Sequence, residues 1–266
     1  MWENIWQFFT SIYSNPTVEG IVIALIMGAI WLAVFRMRLG KQPRLWILLS
    51  VGALLFGPTI GLLQFPLQSL SMQALFHFWG AEIWQERMLL SEIPAMLITG
   101  FVQEGIKLVP LLIYRKRRQP LPDREALLAG AAVGAGFGIF EAAWLLNQVF
   151  TTGFSLPAFQ FQGWQAPLSI IERLFIVGFH TSTTALAAYF LNKGKGGRAY
   201  LGIALFHSVM NYGAVLAAAG VFTIVQTEIY ITALCTIMIG AALWLRWRER
   251  PAKSTLASPP EASAPA

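Results

Sequence analysis

Seven apolar runs dominate this chain of 266 residues, and they restrict what it can fold into more than any other feature. About 20 apolar residues in an α-helix cross a hydrocarbon core roughly 30 Å thick. Only 12% of the residues are charged, against about 25% in a soluble domain, so a water-facing surface cannot be covered. We therefore predict an all-α fold, a polytopic transmembrane helical bundle with about seven spans, at Val18–Phe35, Leu45–Leu63, Met88–Tyr114, Ala126–Phe150, Pro167–Leu191, Ala199–Ala219 and Val221–Leu245.

The predicted bundle forms one membrane domain, residues 18–246, with its motif-bearing core at about 88–219. Residues 1–17 carry Trp, Phe and Tyr at helical spacing, which indicates an N-terminal segment at the membrane interface. Residues 251–266 are rich in Pro, Ala and Ser, a composition typical of a disordered tail. Within residues 64–87, the stretch Gln64–Gly80 is only moderately apolar, which favours a re-entrant or interfacial helix.

The basic residues predict the orientation of the bundle, because cytoplasmic loops carry an excess of Lys and Arg. When the runs are threaded alternately through the membrane, 16 of the 19 Lys and Arg residues fall on one side. That side is predicted to be cytoplasmic, which puts the N-terminus outside and the C-terminus inside. The net charge of +6 then reflects topology and attraction to anionic lipid rather than nucleic-acid binding. We expect an integral protein of a prokaryotic cytoplasmic (inner) membrane.

Four ionisable side chains lie inside four different runs, namely Glu104, Glu141, His180 and His207. A charge in hydrocarbon costs roughly 2.5–3.5 kcal/mol on insertion scales. With about 1.5 Å of helix rise per residue, each of the four falls near the middle of its run. A single histidine in such a run is a hydrogen-bonded packing residue about as often as it is a site residue. A single glutamate there can be a protonated core residue. Together the four predict a site in one layer of the bundle.

Helical spacing adds polar partners to this layer. Gln103 and Lys107 are four residues apart, and Glu104 and Lys107 are three apart, so these side chains share one helix face. Lys107 then offsets the charge of Glu104, although a long basic side chain can instead snorkel towards the cytoplasm. His207 and Asn211 also share a face, which combines an imidazole that can hold a water or metal with an amide that can donate to an oxyanion.

The residue types in this layer favour the activation of a water molecule. A glutamate can take a proton from water, and histidines with a second glutamate can hold that water directly or through a metal such as Zn²⁺. The zinc motif HExxH is absent, so any metal site would be assembled from separate helices. The motif GxSxG is also absent and Asp123 is the only aspartate, so serine and aspartyl intramembrane proteolysis fit poorly. Glu172 and Arg173, at the outer end of the fifth run, are interpreted as an ion pair or interface anchors, with Glu172 a candidate to brace the site.

These motifs, in this order, resemble those of the CAAX-type (Abi) intramembrane protease superfamily, and within it the PrsW and YhfC branches. Glu104 and Lys107 match the glutamate and the basic residue of the first motif, QEGIK. The later motifs are matched by Phe137 and Glu141 (FGIFE), by His180 with Glu172 and Arg173 upstream, and by His207 and Asn211 (HSVMN). The superfamily also includes the APH subunit of γ-secretase, a scaffold branch with a Gln–Glu pair like the one at Gln103 and Glu104.

The resemblance implies hydrolysis of a peptide bond in a membrane-embedded protein or peptide. It implies Glu104 as general base and Asn211 as the donor to the oxyanion, with His180, His207 and Glu141 holding the water or a metal. Supporting positions are Gln103, Lys107, Phe137, Glu172 and Arg173. A Zn²⁺ ion held by Glu141, His180 and His207 is compatible with this set, and so is a metal-free glutamate protease.

Two other classes of function fit the same residues. The first is a noncatalytic membrane scaffold or immunity-type protein of the same fold. The second is a proton-coupled transporter, because carboxylates and histidines at the midplane also serve as proton relays. Discontinuous helices and an inverted repeat would support the transporter, and neither is clear in the sequence.

Overall fold

The computed structural model describes residues 2–14, 16–37, 39–151 and 167–249, and the regular elements in these ranges are all helical. Two short helical turns, Leu39–Lys41 and Thr59–Gln64, accompany the α-helices. The predicted disordered tail lies outside the described residues. The α-helices are α1 (Trp2–Ser11), α2 (Val18–Val34), α3 (Pro43–Pro58), α4 (Phe65–Glu86), α5 (Met88–Ser91), α6 (Ile93–Arg117), α7 (Asp123–Thr151), α8 (Leu168–Asn192), α9 (Gly196–Ala218) and α10 (Ile224–Arg248).

Six stretches of the described helices are long and apolar enough to cross a membrane, and each overlaps one of the predicted runs. The helical membrane bundle is therefore confirmed. The remaining run corresponds to α2, an apolar helix of 17 residues, or about 26 Å. A seventh crossing and the orientation of the termini stay predictions. The six stretches are Pro43–Gly80, Met88–Arg117, Asp123–Thr151, Ile170–Asn192, Gly196–Ala218 and Ile224–Arg248.

Helices α3 and α4 form one continuous helical run across the segment where the sequence was least regular. Pro58 ends α3 and has no backbone N–H to donate, and the turn Thr59–Gln64 that follows is π-helical. The run continues through α4 until Gly80, whose φ of 76° is outside the helical region. Gln68 on α4 donates to the carbonyl of Ala95 at 3.0 Å, so this part of the run lies against α6.

Helix α7 lies at the centre of the bundle, packed against α2, α3 and α8. Its small residues permit this on two faces. A Cβ on Gly134 would lie 2.1 Å from the carbonyl oxygen of His180 on α8, and one on Gly136 would lie 1.9 Å from that of Leu49 on α3. The close approach at Gly134 brings His180 against the face of α7 that carries Glu141.

The membrane topology can be tested with two exposed positions in short connections, Lys195 before α9 and Val221 before α10. In a Cys235→Ala background we expect Lys195→Cys to react with an impermeant maleimide only from the cytoplasmic side, and Val221→Cys only from the outer side. The reason is that a single crossing, α9, separates the two positions, and the basic residues fall with Lys195. Reaction of both cysteines from one side would contradict the threading of the bundle.

Candidate functional site

Lys107 is the centre of a buried polar cluster built from four helices. Its side chain is fully buried, and its Nζ donates to Glu104 Oε1 at 2.8 Å, one turn away on α6. The same Nζ lies 2.9 Å from His180 Nδ1 on α8. Because the ammonium lies between two site residues, Lys107 does not snorkel to the cytoplasm. The sequence suggested Lys107 as the partner of Glu104, and the two side chains are in contact.

Glu104 also contacts His207 on α9, with 2.7 Å between Glu104 Oε1 and His207 Nδ1. A carboxylate accepts, so this contact assigns the proton to Nδ1 and leaves the lone pair of the neutral ring on Nε2. Phe179 packs edge-on against this imidazole, with ring centroids 5.0 Å apart, and holds its plane. Thr183 is a weaker neighbour, with its Oγ1 3.5 Å from Glu104 Oε1.

His180 links this pair to Glu141 on α7. Its Nε2 lies 2.6 Å from Glu141 Oε2, a short contact outside regular hydrogen-bond geometry. Since Nδ1 faces the Lys107 ammonium, Nε2 is the nitrogen that carries the proton towards Glu141. Phe137 covers the pair: its ring centroid is 5.2 Å from that of His180 and 5.2 Å from Lys107 Nζ.

Arg173 and Glu172, at the start of α8, form the ion pair that the sequence suggested. Arg173 also reaches Glu141, with 3.8 Å between its guanidinium nitrogen and Glu141 Oε1. The cluster therefore holds two ion pairs, Glu104 with Lys107 and Glu141 with Arg173, and His180 links them. This pairing compensates charges that would be costly to bury singly.

A cavity of about 130 Å³ borders this cluster and includes Glu141, His180, His207 and Asn211 in its wall. Three of the four residues predicted to form one site therefore line the same cavity, with Asn211 beside them. Glu104 borders neither this cavity nor the larger one next to it, and it is 3% exposed. Its contact with the cavity wall is His207.

The larger cavity, of about 320 Å³, includes residues that the sequence reasoning did not single out. Gln64, Gln68 and Thr99 line it together with Gln103 and Asn211. Gln103 Nε2 donates to Gln64 Oε1 at 2.9 Å, and Gln68 Nε2 donates to Thr99 Oγ1 at 2.9 Å. The signal in the sequence was the four-residue spacing of Gln64 with Gln68 and of Thr99 with Gln103.

The buried cluster resembles a metal site in its donor types. Within the described residues, one potential ligand atom each from Glu104, His180 and His207 lie within 4.8 Å of one another, so Glu104 stands where the resemblance implied Glu141. However, Lys107 Nζ is 2.8 Å from Glu104 and 2.9 Å from His180, which places a cation among these donors already. With Lys107 in this position, Glu104 Oε1 and His180 Nδ1 already have a cationic partner, and the Zn²⁺ ion predicted at Glu141, His180 and His207 stays a prediction.

Comparison of the chain with protein-family models, with curated proteins and with solved structures gave no match.

Proposed function

We propose that this protein is an intramembrane endopeptidase, located in a prokaryotic cytoplasmic membrane, that hydrolyses a peptide bond of a membrane-associated protein or peptide. The observation that carries the proposal is the Glu104–His207 contact of 2.7 Å, because His207 also borders a cavity that contains Asn211. A carboxylate that orients an imidazole beside a space for water is the arrangement that general-base catalysis requires.

In the proposed reaction, His207 Nε2 takes a proton from a water in the small cavity, and the hydroxide oxygen attacks the peptide carbonyl carbon. Glu104 stabilises the imidazolium that forms, as the carboxylate of a catalytic triad does. The Asn211 amide donates to the oxyanion, and Glu141 accepts a hydrogen bond from the attacking water. His207 then returns its proton to the amine nitrogen as the C–N bond breaks, which leaves a carboxylic acid and a free amine.

A scaffold without catalysis is the second candidate, and one observation favours it. Glu104 Oε1 is already contacted by both Lys107 and His207, and both of those side chains are buried. A closed set of paired charges of this kind can fix the arrangement of α6, α8 and α9 without reacting.

Substitution of His207 separates the two candidates. With purified protein in detergent and a single-span reporter peptide, we expect His207→Ala to lower the cleavage rate by about 10²–10⁴, the usual contribution of a general base. His77→Ala is the matched control, because His77 is an exposed histidine on α4. We expect a membrane-permeant chelator to leave cleavage unchanged, because Lys107 lies where an ion would bind.

Wild-type cleavage that survives in His207→Ala would contradict the proposed role of His207. Absence of cleavage in the wild type with all reporters would favour the scaffold. Loss of activity to the chelator, restored by Zn²⁺, would show instead that Lys107 moves aside for a metal.

A further inference from the structure

We propose that the larger cavity binds the substrate as an unwound, extended peptide backbone, with Gln103 Oε1 accepting a hydrogen bond from a backbone N–H. This inference rests on the proposed function and specifies the form in which the substrate is held. The cavity is called the amide groove below and is defined by Gln64, Gln68, Thr99, Gln103 and Asn211.

The amide groove is lined by neutral polar groups and apolar walls. Its apolar walls include Phe56, Ile60 and Met96, and Glu141 is the one charged residue among its described lining. Its volume of about 320 Å³ is at the lower end of the range for ligand pockets, roughly 300–1,000 Å³. Such a lining suits a ligand that carries both donors and acceptors but no net charge, as a peptide backbone does.

One lining residue has an unused acceptor. Gln103 is 5% exposed, and its Oε1 has no hydrogen-bond partner among the described residues, while its Nε2 is held by Gln64. A buried amide oxygen without a donor is rare in native proteins and calls for a partner. Gln103 belongs to the lining of the groove, so a backbone N–H of a peptide bound there is a donor that can satisfy this oxygen.

A helical substrate cannot supply that N–H. In an α-helix each interior N–H donates to a carbonyl of the same segment, so the groups are already paired. An extended segment has free N–H and C=O groups, and recognition of extended peptides generally depends on main-chain hydrogen bonds. The amide groove therefore favours the unwound form of a membrane segment over its helical form.

The groove leads to the site. Glu141, Asn211 and Ala214 line both the groove and the small cavity that His180 and His207 border. A backbone bound by Gln103 therefore continues past Asn211, the proposed donor to the oxyanion. Binding in the groove thus positions one peptide bond beside His207.

The test measures binding, so it does not require cleavage. The probe is a fluorescent single-span Leu-rich peptide with a central Ala-Gly-Ser-Gly segment, in nanodiscs with the Glu104→Gln protein, and its comparison peptide has an unbroken Leu-Ala span. We expect the broken span to bind about 10-fold more tightly, because Gly disfavours the helix and frees backbone groups. We expect Gln103→Leu to weaken binding of the broken span by roughly 5- to 50-fold, the usual effect of removing a buried partner. Gln73→Leu is the matched control, because Gln73 is an exposed glutamine of α4 outside the groove.

A second arm changes the probe instead of the protein. Backbone esters replace single N–H groups along the broken span, and one position should weaken binding about as much as Gln103→Leu does. At that position the fold-losses of affinity from the ester and from Gln103→Leu should not multiply, because both changes remove the same hydrogen bond. Since the ester is in the peptide, this arm does not depend on the folding of any variant.

Two outcomes would overturn the groove proposal: equal binding of the broken and unbroken spans, or Gln103→Leu binding as tightly as the Gln73→Leu control. An ester effect that multiplies with Gln103→Leu at every position would also overturn it. Binding that follows the expected pattern without cleavage by the wild type would support the groove and contradict the endopeptidase. Cleavage by the wild type that Gln103→Leu leaves unchanged would support the endopeptidase and contradict the groove.

Discussion

The substitution Glu104→Gln is expected to lower the rate of peptide cleavage by about 10²–10⁴ in a protein that still folds, with a lower stability because the buried Lys107 loses its counterion. The amide has nearly the shape of the carboxylate, and its oxygen can still accept from Lys107 Nζ and His207 Nδ1. It carries no charge, however, so it cannot stabilise the imidazolium that forms when His207 takes a proton. The variant should bind substrate as the wild type does and fail in the chemical step.

The measurement is single-turnover cleavage of the reporter peptide, with folding followed by size-exclusion chromatography and thermal unfolding in detergent. The matched control is Glu82→Gln, which makes the same change at an exposed position of α4. Full activity in Glu104→Gln with the fold intact would end the proposal that the Glu104–His207 pair performs catalysis. A scaffold instead predicts no cleavage of the reporter by either the wild type or Glu104→Gln.

The largest effect on stability is expected from Lys107→Met. The side chain of Lys107 is completely buried between Glu104 and His180, so its loss leaves the Glu104 carboxylate without its cation in the interior. Removal of one partner of a buried ion pair typically costs about 3–5 kcal/mol of the free energy of unfolding. Methionine has a similar length and fills the space, so the lost charge dominates the effect.

A double-mutant cycle distinguishes the charge from the packing. The free energy of unfolding is measured in mixed detergent micelles. The double variant Lys107→Met with Glu104→Gln should be much closer to the wild type than Lys107→Met alone, because no uncompensated carboxylate remains. Lys195→Met, at an exposed position, is the control and should be almost silent. Additive effects of Lys107→Met and Glu104→Gln would mean that the ion pair contributes little.

The sequence was sufficient for the class of fold and for the members of the cluster. Long apolar runs are a local property, and so is the cost of a charge inside one of them, which is why Glu104 and Glu141 stood out. Their meeting with His180 and His207 followed from similar depth alone. Local spacing also gave the Glu104–Lys107 pair, since residues three apart share a helix face.

Other features depend on how the helices are rotated about their axes, which a sequence does not state. Lys107 had two possible destinations, and its contact with His180 requires α8 to lie close to α6. Glu104 was expected to face water. In the packed bundle, however, His207 lies between the Glu104 carboxylate and the small cavity. Gln64 and Gln68 have helical spacing, but the direction that their face takes relative to α3 depends on the π-helical turn after Pro58, which shifts the register of the run.

The position of Lys107 one turn from Glu104 has a consequence for the biogenesis of the protein. The two charges belong to the same helix and compensate each other before any later span is made. Glu141, in contrast, meets Arg173 and His180 only after 32 and 39 further residues have been synthesised. During translation α6 can therefore leave the translocon for lipid as an electrically neutral segment, whereas α7 must be retained there until α8 emerges. The order in which the spans are released to the bilayer thus depends on whether the partners of each ion pair are close together or far apart in the sequence.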